Sequence, residues 1–204
     1  MGGFFNLNGP FFRIGNMLAD IIILSFLWLF FSIPLVTAGA ATTALFYVTT
    51  RRVSNREGYL IRDFWKSFRL NFKQATACWL IIVLISLVLF INITNISLLG
   101  SAGKFVLPIQ ICFVAEICII SLYVFPLIAR FKLSLAEVFK NAVFMANRHA
   151  LITLGLLLIG AGVMLLSFLT VVFSLVAMGV YAFFASYLIM HVFRKYRPGM
   201  DRDP

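Results

Sequence analysis

Glu116 is the residue whose position invites chemistry. Lys104 and Arg130 enclose 25 residues in which Glu116, the twelfth, is the only ionisable carboxyl group, with Gln110 and Ser121 as its polar neighbours. At about 1.5 Å per residue that run crosses a bilayer, which places Glu116 near the midplane. An ionised carboxylate there costs roughly 2.5–3.5 kcal/mol even on lenient insertion scales. Either the group faces a hydrated pathway through a helix bundle, or it is protonated and hydrogen-bonded to a neighbouring helix. Glu116 and Gln110 are therefore the candidate intramembrane polar site.

The second candidate is cationic. Arg51, Arg52, Arg62, Lys66, Arg69 and Lys73 fall in one amphipathic stretch, and Lys140 and Arg148 in another. Basic residues beside apolar spans suit anionic headgroups or the acidic surface of a partner. Other chemistry is missing at the level of motif: there is no phosphate loop of the type Gly-x-x-x-x-Gly-Lys-[Ser/Thr], no His-Glu-x-x-His, no Gly-x-Ser-x-Gly and no metal-spaced Cys/His set. Cys78, Cys112 and Cys118 sit in apolar runs without CxxC spacing and read as small hydrophobes. His149 joins the second basic stretch, and His191 falls near the end of the last apolar run. The expectation is a non-enzymatic protein without catalytic, cofactor-binding or metal-binding residues.

The elements that must position these residues are membrane helices. Hydrophobic residues make up 62% of the 204 and charged residues 12%, against roughly 45–50% and about 25% in soluble domains. Only lipid can cover that excess, and the 23 phenylalanines suit lipid-facing surfaces. The pattern predicts an all-α polytopic fold, a single transmembrane domain over residues 1–204. About six transmembrane helices, near 16–34, 38–52, 74–92, 105–128, 151–169 and 174–193, form three hairpins. Two amphipathic cytoplasmic interfacial helices are expected near 61–72 and 135–148. Pro34 to Gly39 reads as the bend of the first hairpin, and Asp20 as a partner for nearby cations such as Arg13. Gly2 to Phe12, with four phenylalanines and no basic n-region or cleavage site, reads as an aromatic interfacial segment retained ahead of the first span.

In the first amphipathic stretch, Phe64, Phe68 and Phe72 recur at i, i+4 and i+8, predicting an in-plane helix with an aromatic side toward lipid that runs into the third span. In the second, Ser134 and Glu137 have capping-box spacing and predict a helix start near Leu135. With six spans, sixteen of the seventeen lysines and arginines fall on one side, Lys104 being the exception. The positive-inside rule then places both termini in the cytoplasm.

Three stretches carry a resemblance: Asn8-Gly-Pro10; Ile33-Pro-Leu-Val-Thr-Ala-Gly-Ala-Ala-Thr-Thr-Ala-Leu-Phe-Tyr47; and Tyr123-Val-Phe-Pro-Leu-Ile-Ala-Arg-Phe131 with Lys140-Asn-Ala142. Together they resemble the YesL family of small bacterial membrane proteins, a domain of unknown function often encoded beside carbohydrate-uptake ABC transporters. The resemblance implies a multi-pass protein of the bacterial cytoplasmic membrane and supplies no catalytic residues. The function expected is a non-catalytic accessory or assembly subunit of such a transporter; the alternative is an autonomous small-molecule transporter or channel using Glu116. The expected partners are a bilayer with anionic lipids and ABC permease subunits, with no nucleic acid and no cofactor.

Overall fold

The computed structural model describes the backbone of residues 10–54 and 58–196. The aromatic segment expected over Gly2 to Phe12 lies outside the described residues as far as residue 9, and the side chain of Arg13 lies outside them as well. All described regular structure is helical. The elements are α1 (Pro10–Ser32), α2 (Ala38–Val53), α3 (Leu60–Thr94), α4 (Gly103–Arg130), α5 (Leu135–Arg148), α6 (Ala150–Leu169), a single turn α7 (Val171–Ser174) and α8 (Ala177–Tyr196). Four segments are long and apolar enough to cross a membrane: Gly15–Ser32, Leu60–Thr94, Gly103–Arg130 and Ala150–Leu169; Ala177–Phe193 is a shorter apolar helix.

α2 is the interior helix. Every residue from Ala38 to Thr50 is buried, and α1, α3, α4 and α8 all pack against it. Its four threonines fit this position because each hydroxyl donates to the carbonyl four residues back: Thr42 to Ala38 at 2.8 Å, Thr43 to Gly39 at 3.0 Å, Thr49 to Leu45 at 3.0 Å and Thr50 to Phe46 at 2.6 Å. The polar atoms are satisfied within the helix, leaving methyl groups and small side chains to face the neighbours.

The bend ahead of α2 is shorter than the sequence suggests. Residues 33–37 make it, with a 3-10 turn at Leu35–Thr37 and the Thr37 hydroxyl donating to the Phe31 carbonyl at 2.5 Å. Gly39 is helical and serves close packing instead. A Cβ on it would lie 2.5 Å from Trp79 Cβ and 2.7 Å from the Ala75 carbonyl of α3. Gly179 plays the same part between α8 and α1, where a Cβ would collide with Ser25 Oγ and approach the Ile21 carbonyl to 2.7 Å.

α3 covers both the interfacial helix expected over 61–72 and the span expected over 74–92. One uninterrupted helix runs through both. Its 35 residues contain neither proline nor glycine, so nothing breaks the backbone ladder, and at about 1.5 Å per residue it is about 52 Å long. The aromatic side differs from expectation. Phe64 and Phe68 are buried, and Phe31 of α1 packs among Phe64, Trp65 and Phe68 with ring centroids 5.7, 5.4 and 5.0 Å away. Offset aromatic contacts between helices outweigh exposure of these rings to lipid.

α5 opens on the reciprocal capping box of Ser134 and Glu137, in which each side chain bonds the other residue's backbone amide. Those bonds hold the Glu137 carboxyl below its usual range. Core residues concentrate where the helices carry their basic ends: Tyr123 to Ala129 of α4 and Ala182 to Phe193 of α8 are largely buried, whereas Val83 to Val88 of α3 and Ile111 to Ala115 of α4 are exposed.

Replacing Gly39 by leucine should force α2 and α3 apart and cost about 1–3 kcal/mol through overpacking. Gly162→Leu, where a Cβ meets nothing within 4 Å, is the control. Thermal unfolding in detergent should show a melting temperature lowered by several degrees for Gly39→Leu only; equal melting of the two variants would contradict the packing described.

Candidate functional site

Glu116 and Gln110 lie on α4 in the half away from the basic ends. Six residues correspond to about 120° around a helix, so the two occupy different faces. Glu116 is partly exposed, with no hydrogen-bond or ion-pair partner among the described residues. Gln110 Oε1 is buried without a partner. The fold does not bring the two side chains together.

The cations divide into two groups. Arg51 and Arg52, at the end of α2, are built into the fold. Arg52 pairs with Asp20 of α1, Nε to Oδ2 at 3.1 Å, so the partner of Asp20 comes from across the hairpin, where the two helices run side by side. Arg51 reaches Asp63 of α3 at 3.8 Å and donates to the Tyr47 hydroxyl at 3.0 Å. The two pairs pin α2 to both neighbours at one level. Both are partly exposed, so their worth is closer to that of surface pairs than of buried ones.

Arg62, Lys66, Arg69 and Lys73 are instead exposed, along one side of α3. Ile61, Trp65 and Leu70 are exposed beside them, and the Arg69 guanidinium lies 5.9 Å from the Trp65 ring centre. α5 repeats the pairing with Arg148 placed 5.5 Å from the Phe144 ring, and Lys140 is exposed on the same helix. Gln74 Nε2 donates to the Leu133 carbonyl at 2.6 Å, tying α3 to the segment that leads into α5. Such surfaces combine apolar area with charge, the pattern that suits acidic partners or anionic headgroups.

Sequence reasoning gave no sign of a cleft that the fold creates. A cavity of about 760 Å³ lies between α4 and α6, with the first nine residues of α2 behind it, and Trp28, Trp79, Phe125, Gly160, Met164 and Tyr181 in its walls. Its lining comes from six separate stretches of chain, and none of them is unusual in sequence. Neither Glu116 nor Gln110 contributes to it. Among the described residues no group of three or more His, Cys, Asp or Glu side chains is placed to hold a metal ion.

Residues 21–93, about a third of the chain, match the family described as protein of unknown function, DUF624. The matched stretch spans the greater part of α1, all of α2 and almost all of α3, the helices that build the first hairpin and the basic face. No curated protein and no solved structure matches the chain.

His149 occupies the corner between α5 and α6. Partial burial and the positive charges of Lys195, Arg148 and His191 push its imidazole below the ordinary range. The fold therefore disfavours the protonated ring: this contribution is complete above about pH 6.5 and declines as the pH falls through and below that value. Between pH 7.5 and 5.5, above the range in which Glu137 titrates, the native protein should show a small fall in melting temperature. His149→Gln should flatten that dependence; an unchanged slope in the variant would assign the acid sensitivity elsewhere.

Proposed function

We propose that this protein is a non-catalytic accessory or assembly subunit of the bacterial cytoplasmic membrane that docks onto the permease of a carbohydrate-uptake ABC transporter. In this reading six helices cross the bilayer, α1, α2, α3, α4, α6 and α8, and both termini face the cytoplasm. The sided distribution of lysine and arginine supports that orientation. The resemblance to the YesL family supplies the choice of partner.

The observation that carries the proposal is the exposed cationic stripe on α3. Residues 75–94 account for about 30 Å of the helix, the thickness of a hydrocarbon core, and residues 60–73 for about 21 Å more. The stiff extension carries Arg62, Lys66, Arg69 and Lys73 along one side, with Ile61, Trp65 and Leu70 among them. A rigid surface of mixed charge and apolar area loses little conformational entropy on binding. A second reading, a small transporter or channel using Glu116, is favoured by the cleft. Its weakness is that the carboxyl group stands outside the cleft lining.

A tagged protein captured from its native membrane in gentle detergent should bring with it a permease and its ATPase. Reversing Arg62, Lys66 and Arg69 to glutamate should lower that recovery at least fivefold. Glu116→Gln should leave recovery and sugar uptake unchanged. Capture of the protein alone, or undiminished recovery after charge reversal, would contradict docking through α3; loss of uptake in Glu116→Gln at normal protein level would favour the transport reading.

A further inference from the structure

The cleft between α4 and α6 has walls of a definite chemistry. The two helices meet on the basic side, where the Tyr123 and Thr153 hydroxyls are 2.9 Å apart. From Phe125 of α4 and Leu156 of α6 outward, the facing side chains line the cavity. Its contributors from α2 (Ala38, Thr42 and Phe46) and from α8 (Ala177, Met178 and Tyr181) come from the first nine residues of α2 and the first five of α8. Those ends lie away from the basic residues of α2 and α8, whereas Trp79 of α3 and Ser121, Leu122 and Phe125 of α4 lie toward the basic ends of their helices, so the cleft occupies the middle depth of the fold.

The walls hold hydroxyl groups, but these already donate elsewhere. Thr42 donates to the Ala38 carbonyl and receives the Trp28 indole N–H at 3.0 Å. Ser121 donates to Cys118, Ser167 to Val163 and Ser174 to Val171, at 2.7, 2.8 and 2.6 Å. The Trp79 indole N–H donates to the Leu35 carbonyl at 2.8 Å. Tyr181 Oη has no partner, but it is buried beneath the surface, its ring packed edge-on to Phe46. No lysine, arginine, aspartate or glutamate lines the space. A sugar entering here would find only a few serine oxygens as acceptors and no charged group, so most of its polar groups would go unpaired, which is costly in a site shielded from water. A hydrocarbon chain would lose nothing.

Size and access point the same way. A volume of about 760 Å³ falls in the range of small-ligand sites, about 300–1,000 Å³. The flanks of the cleft, Val114 of α4 and Leu157, Leu158 and Leu165 of α6, are themselves exposed and apolar. A chain can therefore slide in laterally from the bilayer without crossing a polar barrier.

We propose that the cleft between α4 and α6 is a lipid site that takes an acyl chain of a glycerophospholipid. Recognition is through the chain, with Gly160 and Ala161 leaving room for it and Trp28, Phe125 and Met164 forming its walls. This does not depend on the accessory reading, since the site lies away from the α3 stripe.

The test uses full-length protein in nanodiscs of phosphatidylglycerol and phosphatidylethanolamine containing a phospholipid with a mid-chain diazirine. After irradiation, mass spectrometry should find adducts on residues 156–167 and 121–125 that saturate at one lipid per protein. Adducts on residues 83–91 of α3 should keep rising with probe concentration. Gly160→Phe should reduce the saturable adduct at least fivefold, and Ala161→Phe serves if that variant does not fold. Gly162→Phe, which is outside the lining, should leave it unchanged. Non-saturating labelling of the cleft, indistinguishable from α3, would overturn the proposal, as would protection of the cleft from the probe by a second copy of the chain or by a partner helix.

Discussion

A helix enclosed by other helices in a membrane has no water to satisfy its polar atoms and no space for bulky side chains at close contacts. α2 meets both demands from its own sequence. Its threonine hydroxyls turn back to the helix carbonyls, and alanines and Gly39 let four other helices approach. The rest of the arrangement depends on that solution. α3 can lie against the start of α2 only because Gly39 has no side chain, and α8 meets α1 closely through Gly179. Arg51 and Arg52 then fix the far end of α2 to α3 and α1 through Asp63 and Asp20. Small residues thus set the spacing at one end of α2, and charge pairs set it at the other.

From this axis follows the difference between the two halves of the fold. On the basic side the helices converge, with Tyr123, Phe64, Phe193 and Leu127 fully buried. On the opposite side α3 and α4 expose apolar faces, and at middle depth α4 parts from α6 to leave the cleft. The two candidate interaction surfaces therefore differ in kind. The α3 stripe is cationic, stiff and on the basic side, and the cleft is apolar and open sideways to lipid.

Composition was enough to read the all-α membrane class, because the excess of apolar residues leaves few other places for the chain. The first hairpin was readable from Pro34, and the start of α5 from Ser134 and Glu137, since both rest on local chemistry. What escaped was tertiary. The i, i+4, i+8 phenylalanines of α3 have the same spacing whether they face lipid or Phe31, so periodicity alone could not place them. Asp20 stands 32 residues from Arg52 in sequence, and only the antiparallel packing of α1 and α2 brings the two together. The cleft left no local trace, because its walls are ordinary membrane-helix residues drawn from separate segments. Glu116 stands out in sequence by its rarity, yet among the described residues it has no partner, and it has no place in the cleft.

The enclosure of α2 is the claim on which the account rests, and it can be measured directly. The protein in lipid bilayers would be irradiated with a small apolar carbene precursor that dissolves in the hydrocarbon layer, and the adducts mapped by mass spectrometry. The account predicts dense labelling over residues 83–91 of α3, 105–114 of α4 and 157–169 of α6, with almost none over residues 38–50. Labelling of residues 40–50 at a level near that of α3 would place α2 against lipid and contradict the arrangement described.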